Sequence, residues 1–333
     1  MRLWPTNGRS SVQALRLLLV ALSIVIGPAL AAAQDYPSRP VRLIVPFPAG
    51  GPNDVIARTL SQRMSEILKQ PIVIDNRSGQ SGVVGTDDVA KAAPDGYTIA
   101  ITSSGALAIS PSMEKVPYVT LTDLQPVTLV AKVPEMLVVA TSVPANDLQE
   151  LIALAKSQPG KLNFASTGPG GLPELAGDLF RTMAKINIVE VPYRGAAPIV
   201  TDILGQQVQL TFLDVPAVVP QVVAGKLKAI AVAAPRRSSI APNVPTTAEA
   251  GLPGLLAENW YGMVAPAHTP PQVVDTLNKA ATEAMKDPAV AAKLASIGAA
   301  FAGDTPAEFR AFITSETAKW AKVFKDAGIQ RND

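Results

Sequence analysis

The chain has 333 residues, enough for two domains that each bury a core, and at 48% hydrophobic against 17% charged it is not a disordered polymer. Cysteine is absent and His268 is the one histidine, which excludes disulfides, thiolate metal sites, cysteine nucleophiles and His-rich metal clusters. Three of the 29 bases (Arg2, Arg9, Arg16) and none of the 27 acids fall in residues 1–33; the remainder carries a net charge near −1, with no footprint for nucleic acid or anionic lipid.

Residues 1–33 read as a signal peptide. Behind the three arginines, the apolar run 17–26 is too short to cross a hydrocarbon core of ~30 Å. Gly27 and Pro28 break it, and Ala31 and Ala33 supply an A-x-A site, so cleavage is expected between Ala33 and Gln34. No later stretch is long and apolar enough for a membrane helix. The product is expected to be soluble and periplasmic.

Beyond that segment, short β-branched runs alternate with amphipathic helices. Residues 41–46 (VRLIVP) read as a buried strand. Gly50 and Gly51 form a loop, then Ile56, Leu60, Met64 and Ile67 recur at helical spacing, and 72–75 (IVID) is the next strand. Pro94-Asp95-Gly96 is a turn before a strand at 97–102. This order predicts a mostly parallel sheet covered on both faces. Two apolar runs, 127–133 and 136–141, flank Pro134. Asn146 is a candidate cap, with Gln149 three residues on, for a helix ended by Pro159-Gly160. Strands at 162–165, 188–191, 208–213 and 227–233 then alternate with helices near 173–185, 197–204 and 216–224.

Long helices near 270–286 and 306–326 have no strands of their own to cover, so they are expected back on the first sheet. That makes the first domain discontinuous: 34–135 plus 258–333, with 136–257 as the second domain. Crossings are expected near 126–141 and 230–262. Ligands of open α/β sheets lie beyond the carboxyl ends of strands, which places a site in the cleft between the domains.

Two glycine loops, each between a strand and a helix, are the leading candidates for that site. The first is Pro46-Phe47-Pro48-Ala49-Gly50-Gly51-Pro52-Asn53-Asp54. Its glycines let backbone N–H groups approach a ligand, and the helix start behind adds unpaired donors and a positive dipole end, which suit a carboxylate or phosphate. It equally suits a tight turn with Asn53 or Asp54 as a cap. The second loop is Ser166-Thr167-Gly168-Pro169-Gly170-Gly171. Pro173 stands where a dinucleotide fingerprint needs its third glycine, and neither loop has the lysine and hydroxyl of a P-loop. Ser103 and Ser104 follow the third strand and are placed to donate into the same cleft. Asp214 could bind an amino or hydroxyl group, or cap the helix after it. Arg194 could pair with a carboxylate or lie in solvent. His268 sits in a proline-rich loop with no G-x-S-x-G serine to pair with. No cofactor or metal is expected.

The collinear segments VRLIVPFPAGGPNDVIAR (41–58), QPIVIDNRSGQSGVVG (70–85), VAKAAPDGYT (89–98), PGKLNFASTGPGG (159–171), VPYRGAAPIVTDILGQQV (191–208), AGKLKAIAV (224–232) and VPTTAEAGLPG (244–254) carry a family resemblance. The chain resembles the extracytoplasmic solute receptors of tripartite tricarboxylate transporters, the Bug family, over essentially all of 36–333. That resemblance implies a type II periplasmic-binding-protein fold, two α/β domains closing on a small carboxylate that is then delivered to a membrane permease. It implies a monomer with no enzymatic activity. It also implies a site in which Phe47, Ala49, Gly50 and Gly51, with Asp54, Ser103 and Ser104 beside them, face Ser166, Thr167, Gly168 and Gly170, while Gly195, Ala196 and Asp214 shape the far end. The chain departs from the family pattern at Ala49, at Gly79-Gln80-Ser81-Gly82 and at Glu174, where many relatives place histidine. A carboxylate there is expected to disfavour tricarboxylates and tolerate monocarboxylates or amino-bearing ligands. Two readings from other classes stay open: a receptor whose loaded form docks on a sensor kinase, and an exported enzyme using Asp54, Asp214 or His268.

Overall fold

In a computed structural model, β1 (Val41–Val45) is fully buried at four of its five residues, as expected for a strand covered on both faces. Met1 and residues 36–327 are described; the expected signal segment and its cleavage point lie outside the described residues. The chain divides at Ser38/Arg39, and the fold belongs to the part beginning at Arg39.

β2 (Ile72–Asn76) and β3 (Thr98–Ser103) flank β1 in parallel, with Val41 opposite Ile72 and Arg42 opposite Thr98. The helix Pro52–Leu68 connects β1 to β2 and buries Ile56, Leu60 and Met64, so the expected βαβ unit is present. The two apolar runs around Pro134 are one strand, β4 (Leu124–Ala140). Its two prolines survive because of where they fall. Pro126 borders a register shift, and Pro134 closes the pairing with one partner just before the strand takes up others, positions where a missing N–H breaks no regular ladder.

The second half repeats the parallel theme. β5 (Asn163–Ser166) lies between β6 (Val189–Pro192) and β7 (Leu210–Asp214), both parallel to it. Residues 124–134 of β4 pair antiparallel with β9 (Glu258–Pro266), and 135–140 pair antiparallel with β7 and β8 (Leu227–Val232). Among the described residues the strand order is β2-β1-β3-β9-β4-β7-β5-β6, with β8 and the short β10 (Ala300–Phe301) also on β4. The expectation of a mostly parallel sheet therefore holds only in the wings. At the centre β4 runs outward and β9 returns, so they and their neighbours are antiparallel.

Helix positions follow the sequence reading to within one or two residues, except that 80–90, 105–113, 120–123 and 288–296 are also helical. The cap of helix Leu148–Ser157 is displaced by one residue. Asp147, not Asn146, accepts the Glu150 N–H at 2.8 Å, while the Glu150 carboxylate takes the Asn146 N–H at 2.7 Å. Adjacent Asn and Asp are both good caps, so sequence could not choose between them. The C-terminal helix Pro306–Ala327 packs on β4, as expected, where the Trp260 ring meets Phe309 and Phe312 edge-on at 6.0 and 5.2 Å. In the other half Phe212 holds Phe164 and Phe180 in the same manner.

Candidate functional site

A small cavity of about 50 Å³ lies where the carboxyl ends of β1, β3, β5 and β7 meet the first turns of three helices. Pro52 and Asn53 begin the first helix, Leu172 and Pro173 the second (Leu172–Ala184), and Ala196 and Ala197 the third (Ala196–Leu204); all six line the cavity. The residues before these helices, Gly51, Gly171 and Gly195, make no side-chain cap, so the first-turn N–H groups and the positive dipole ends are left for a guest. No Lys, Arg or His is among the lining residues. Attraction for an anion comes from backbone rather than from side-chain charge.

Of the candidate residues, the structure brings Phe47, Gly51, Ser103, Thr167, Ala196 and Asp214 to the cavity wall. The others lie behind it and shape it. Asp54 braces the first loop, accepting the Gly50 N–H at 3.0 Å, Arg58 Nε at 2.8 Å and Asn76 Nδ2 at 3.0 Å. Burial pushes its pKa up, but these hydrogen bonds and the Arg58 charge outweigh that and hold it below the ordinary value. Ala49 and Gly50 are carried in the same turn. Ser166 donates to Glu190 Oε1 and accepts from the Gly168 N–H, which fixes the second loop. Gly168, Gly170 and Gly195 supply left-handed or Gly-only backbone conformations, and a Cβ on Gly170 would lie 1.9 Å from Ser110 Oγ. Ser104 donates to Asn259 Oδ1 at 2.7 Å. Arg194 and His268 are exposed and off the wall.

Glu174 also faces away. Its Oε2 accepts the Gly170 N–H at 2.7 Å and it is not among the lining residues, so its carboxylate holds the second loop rather than meeting a ligand directly. Burial, then the neighbouring Glu190 and more distant Asp178 and Glu114, push its pKa up to about 7 against the hydrogen bond that lowers it. Between the ordinary glutamate range and about pH 7, the folded chain therefore keeps a proton that the unfolded chain has lost, so stability falls as pH rises through that interval. Glu174→Gln should flatten the fall. Urea unfolding of both proteins from pH 5 to 8 checks this, and parallel curves would show that Glu174 titrates normally.

Sequence reading missed Ser81, Glu135, Asn259 and Tyr261, and read Asn53 only as a cap. Ser81 projects from a turn where Gln80 and Ser81 both have positive φ; its hydroxyl donates to Thr167 O at 3.2 Å and Gly168 O at 3.1 Å, tying the two loops together. Asn53 is 2% exposed, and neither its amide nitrogen nor its oxygen has a partner. Asp214 does not cap the helix Val215–Val223 after it. Its Oδ2 accepts from Tyr261 OH and, at 3.2 Å, from Asn259 Nδ2. Burial pushes its pKa up to about 7, although those bonds oppose the shift. Glu135, directly opposite Asp214 in the β4–β7 ladder, is completely buried and lines the cavity. Burial, then Asp214, push its pKa well up.

Comparison with known proteins agrees with this architecture. The model of the "Tripartite tricarboxylate transporter family receptor" matches residues 56–329. Protein BugT of Bordetella pertussis is 41% identical over 303 residues, covering 90% of this chain and 92% of its own. The structure of the periplasmic binding protein BugD superposes with a TM-score of 0.86 at 35% identity, covering 89% of this chain and all of BugD. That of R. palustris Rpa4515 with adipate gives a TM-score of 0.86 at 37% identity, over 89% of this chain and 99% of Rpa4515. These are solute receptors, not enzymes, and the mixed α/β fold is that of periplasmic binding proteins. The chain belongs to the tripartite tricarboxylate transporter receptor family.

Proposed function

We propose that this chain is exported, loses residues 1–33 at the Ala33–Gln34 bond, and works as a monomeric receptor that captures a small carboxylate and delivers it to membrane permease subunits. The observation that carries the reading is the convergence of three uncapped helix N-termini on one small cavity without a basic side chain. The adipate bound by Rpa4515 supports a carboxylate guest. In this reading residues 34–135 plus 258–333 and residues 136–257 are two domains hinged on β4 and β9. One carboxylate is held by N–H groups and the Asn53 amide, and closure brings Thr167 and Gly171 over it. Free energy from those added contacts shifts an open–closed equilibrium toward the form a permease reads.

A thermal-shift screen of the purified protein against mono-, di- and tricarboxylates, with sugars and nucleotides as controls, tests it. A ligand at 100 times its Kd adds about 2.7 kcal/mol, enough to raise the midpoint by a few degrees. Shifts confined to carboxylates are expected. A shift from a sugar or nucleotide alone would sink the reading.

A further inference from the structure

The wall opposite the helix N-termini has the opposite chemistry. Glu135 and Asp214 sit directly across from each other in antiparallel strands, so their side chains leave the same face of the sheet about 5 Å apart at Cβ. Both line the cavity. Glu135 is completely buried and Asp214 is 5% exposed. Asp214 uses one oxygen, on Tyr261 and Asn259; its Oδ1 and both oxygens of Glu135 have no hydrogen-bond partner. Three buried carboxyl oxygens thus belong to residues lining a cavity whose wall has no Lys, Arg or His. Even if the pair shares one proton, one negative charge and at least one acceptor oxygen remain to be satisfied.

Buried carboxylates at such a density stay ionised only when a charge or donor answers them, and otherwise take up protons. Asn53, Ser81, Ser103, Thr167, Asn259 and Tyr261 are the other polar residues on the wall; Ser81 donates to Thr167 O and Gly168 O, Asn259 to Tyr261 OH and Asp214, and Tyr261 to Asp214. Among the described residues no side chain donates to the three open oxygens, and no basic residue lines the wall, so the answering group is expected on the guest.

We infer that the ligand is bipolar: a carboxylate at the helix N-termini and a cationic nitrogen, a primary ammonium or similar group, at the Glu135–Asp214 pair. This rests on the carboxylate-receptor reading and sharpens it. A second carboxylate at that end would face a pair of acids that carries negative charge whenever it holds fewer than two protons. An ammonium would supply three donors to the three open oxygens. Glu135 also sits at the point where β4 leaves β9 for β7 and β8, so a cation bound there would fasten the guest to the strand that joins the two halves.

Matched sets test the inference, each of one chain length: succinate, 4-aminobutanoate and butanoate; adipate, 6-aminohexanoate and hexanoate; malonate, β-alanine and propanoate. Kd values are measured by calorimetry on the purified protein at pH 7.5. In at least one set the amino-carboxylate should bind about tenfold or more tighter than both companions. Glu135→Gln and Asp214→Asn should each erase most of that preference, and circular dichroism shows whether either variant has lost its fold. A diacid or plain monoacid that binds as well as the amino-carboxylate in every responsive set overturns the inference and leaves the carboxylate receptor standing. So does a preference that survives in both folded variants. Silence from all nine compounds overturns the receptor reading itself, and this inference with it.

Discussion

Replacing Gly170 by alanine should weaken ligand binding by about 5- to 150-fold while leaving the free protein folded. Gly170 has φ +74, a left-handed conformation that costs a residue with a Cβ about 1–2 kcal/mol. The new Cβ would fall 1.9 Å from Ser110 Oγ, 2.8 Å from Ser110 Cβ and 3.0 Å from its Cα, so rotating one hydroxyl does not clear it. Ser110 is fully buried, and its hydroxyl donates to Gly170 O at 3.3 Å, so the loop or the short helix Ser110–Met113 must move. Forcing a packed contact apart costs roughly a further 1–3 kcal/mol. These residues belong to opposite halves of the sheet, joined here and by Ser81 on Thr167 and Gly168. On the proposed hinge the penalty falls on the closed arrangement, since an open form in which the loop leaves Ser110 escapes the steric part. Calorimetric titration of wild type and variant with the ligand found in the screen measures the change; thermal unfolding without ligand separates closure from folding. Affinity within a factor of three of wild type would show that capture does not need this contact.

The wings of the fold were legible because each strand there is a short apolar run followed by a loop and an amphipathic helix. Ile56, Leu60 and Met64 bury as their spacing requires. The centre was not. β4 is interrupted in sequence by Pro126 and Pro134, and only the partner exchange at residue 135 makes a strand of 17 residues possible. The same divide runs through the site. Glycine loops announce a close backbone approach, and so Phe47, Gly51 and Thr167 were within reach of pattern reading. Their neighbours Asp54, Ser166 and Glu174 look alike in sequence yet spend their polar atoms on loop N–H groups and side chains. Glu135 carried little signal: it is one acid between two apolar runs, and what makes it part of the site is its register opposite Asp214, a long-range fact. Asn259 and Tyr261 reach the cavity only because β9 returns beside β3 and β4. The sequence did offer a clue in retrospect, since a charged residue flanked by Pro134 and a run of buried Met136, Leu137, Val138 and Val139 has no water to face.

That placement makes Glu135→Met a stabilising substitution in the free protein, expected to gain about 1–4 kcal/mol near neutral pH and above. Methionine keeps the unbranched length of glutamate and removes two buried oxygens that have no partner. The gain should depend on pH with a definite sign. Burial and the Asp214 carboxyl push the pKa of Glu135 well up, so only below the ordinary glutamate range, where folded and unfolded chains both hold the proton, is little relieved by replacing it. As pH rises, the unfolded chain releases its proton freely while the folded chain must either keep the proton or bury a second charge, and wild type loses stability that the variant keeps. Urea midpoints for both proteins at pH 5 and pH 8 should therefore lie closer at the lower value. A variant less stable than wild type at pH 8 would mean that the carboxyl answers a partner within the fold, and the case for a ligand-borne cation would go with it. If the midpoint rises and amino-carboxylate binding is lost together, the acid is retained at the expense of stability, a trade expected at a binding site and not in a core.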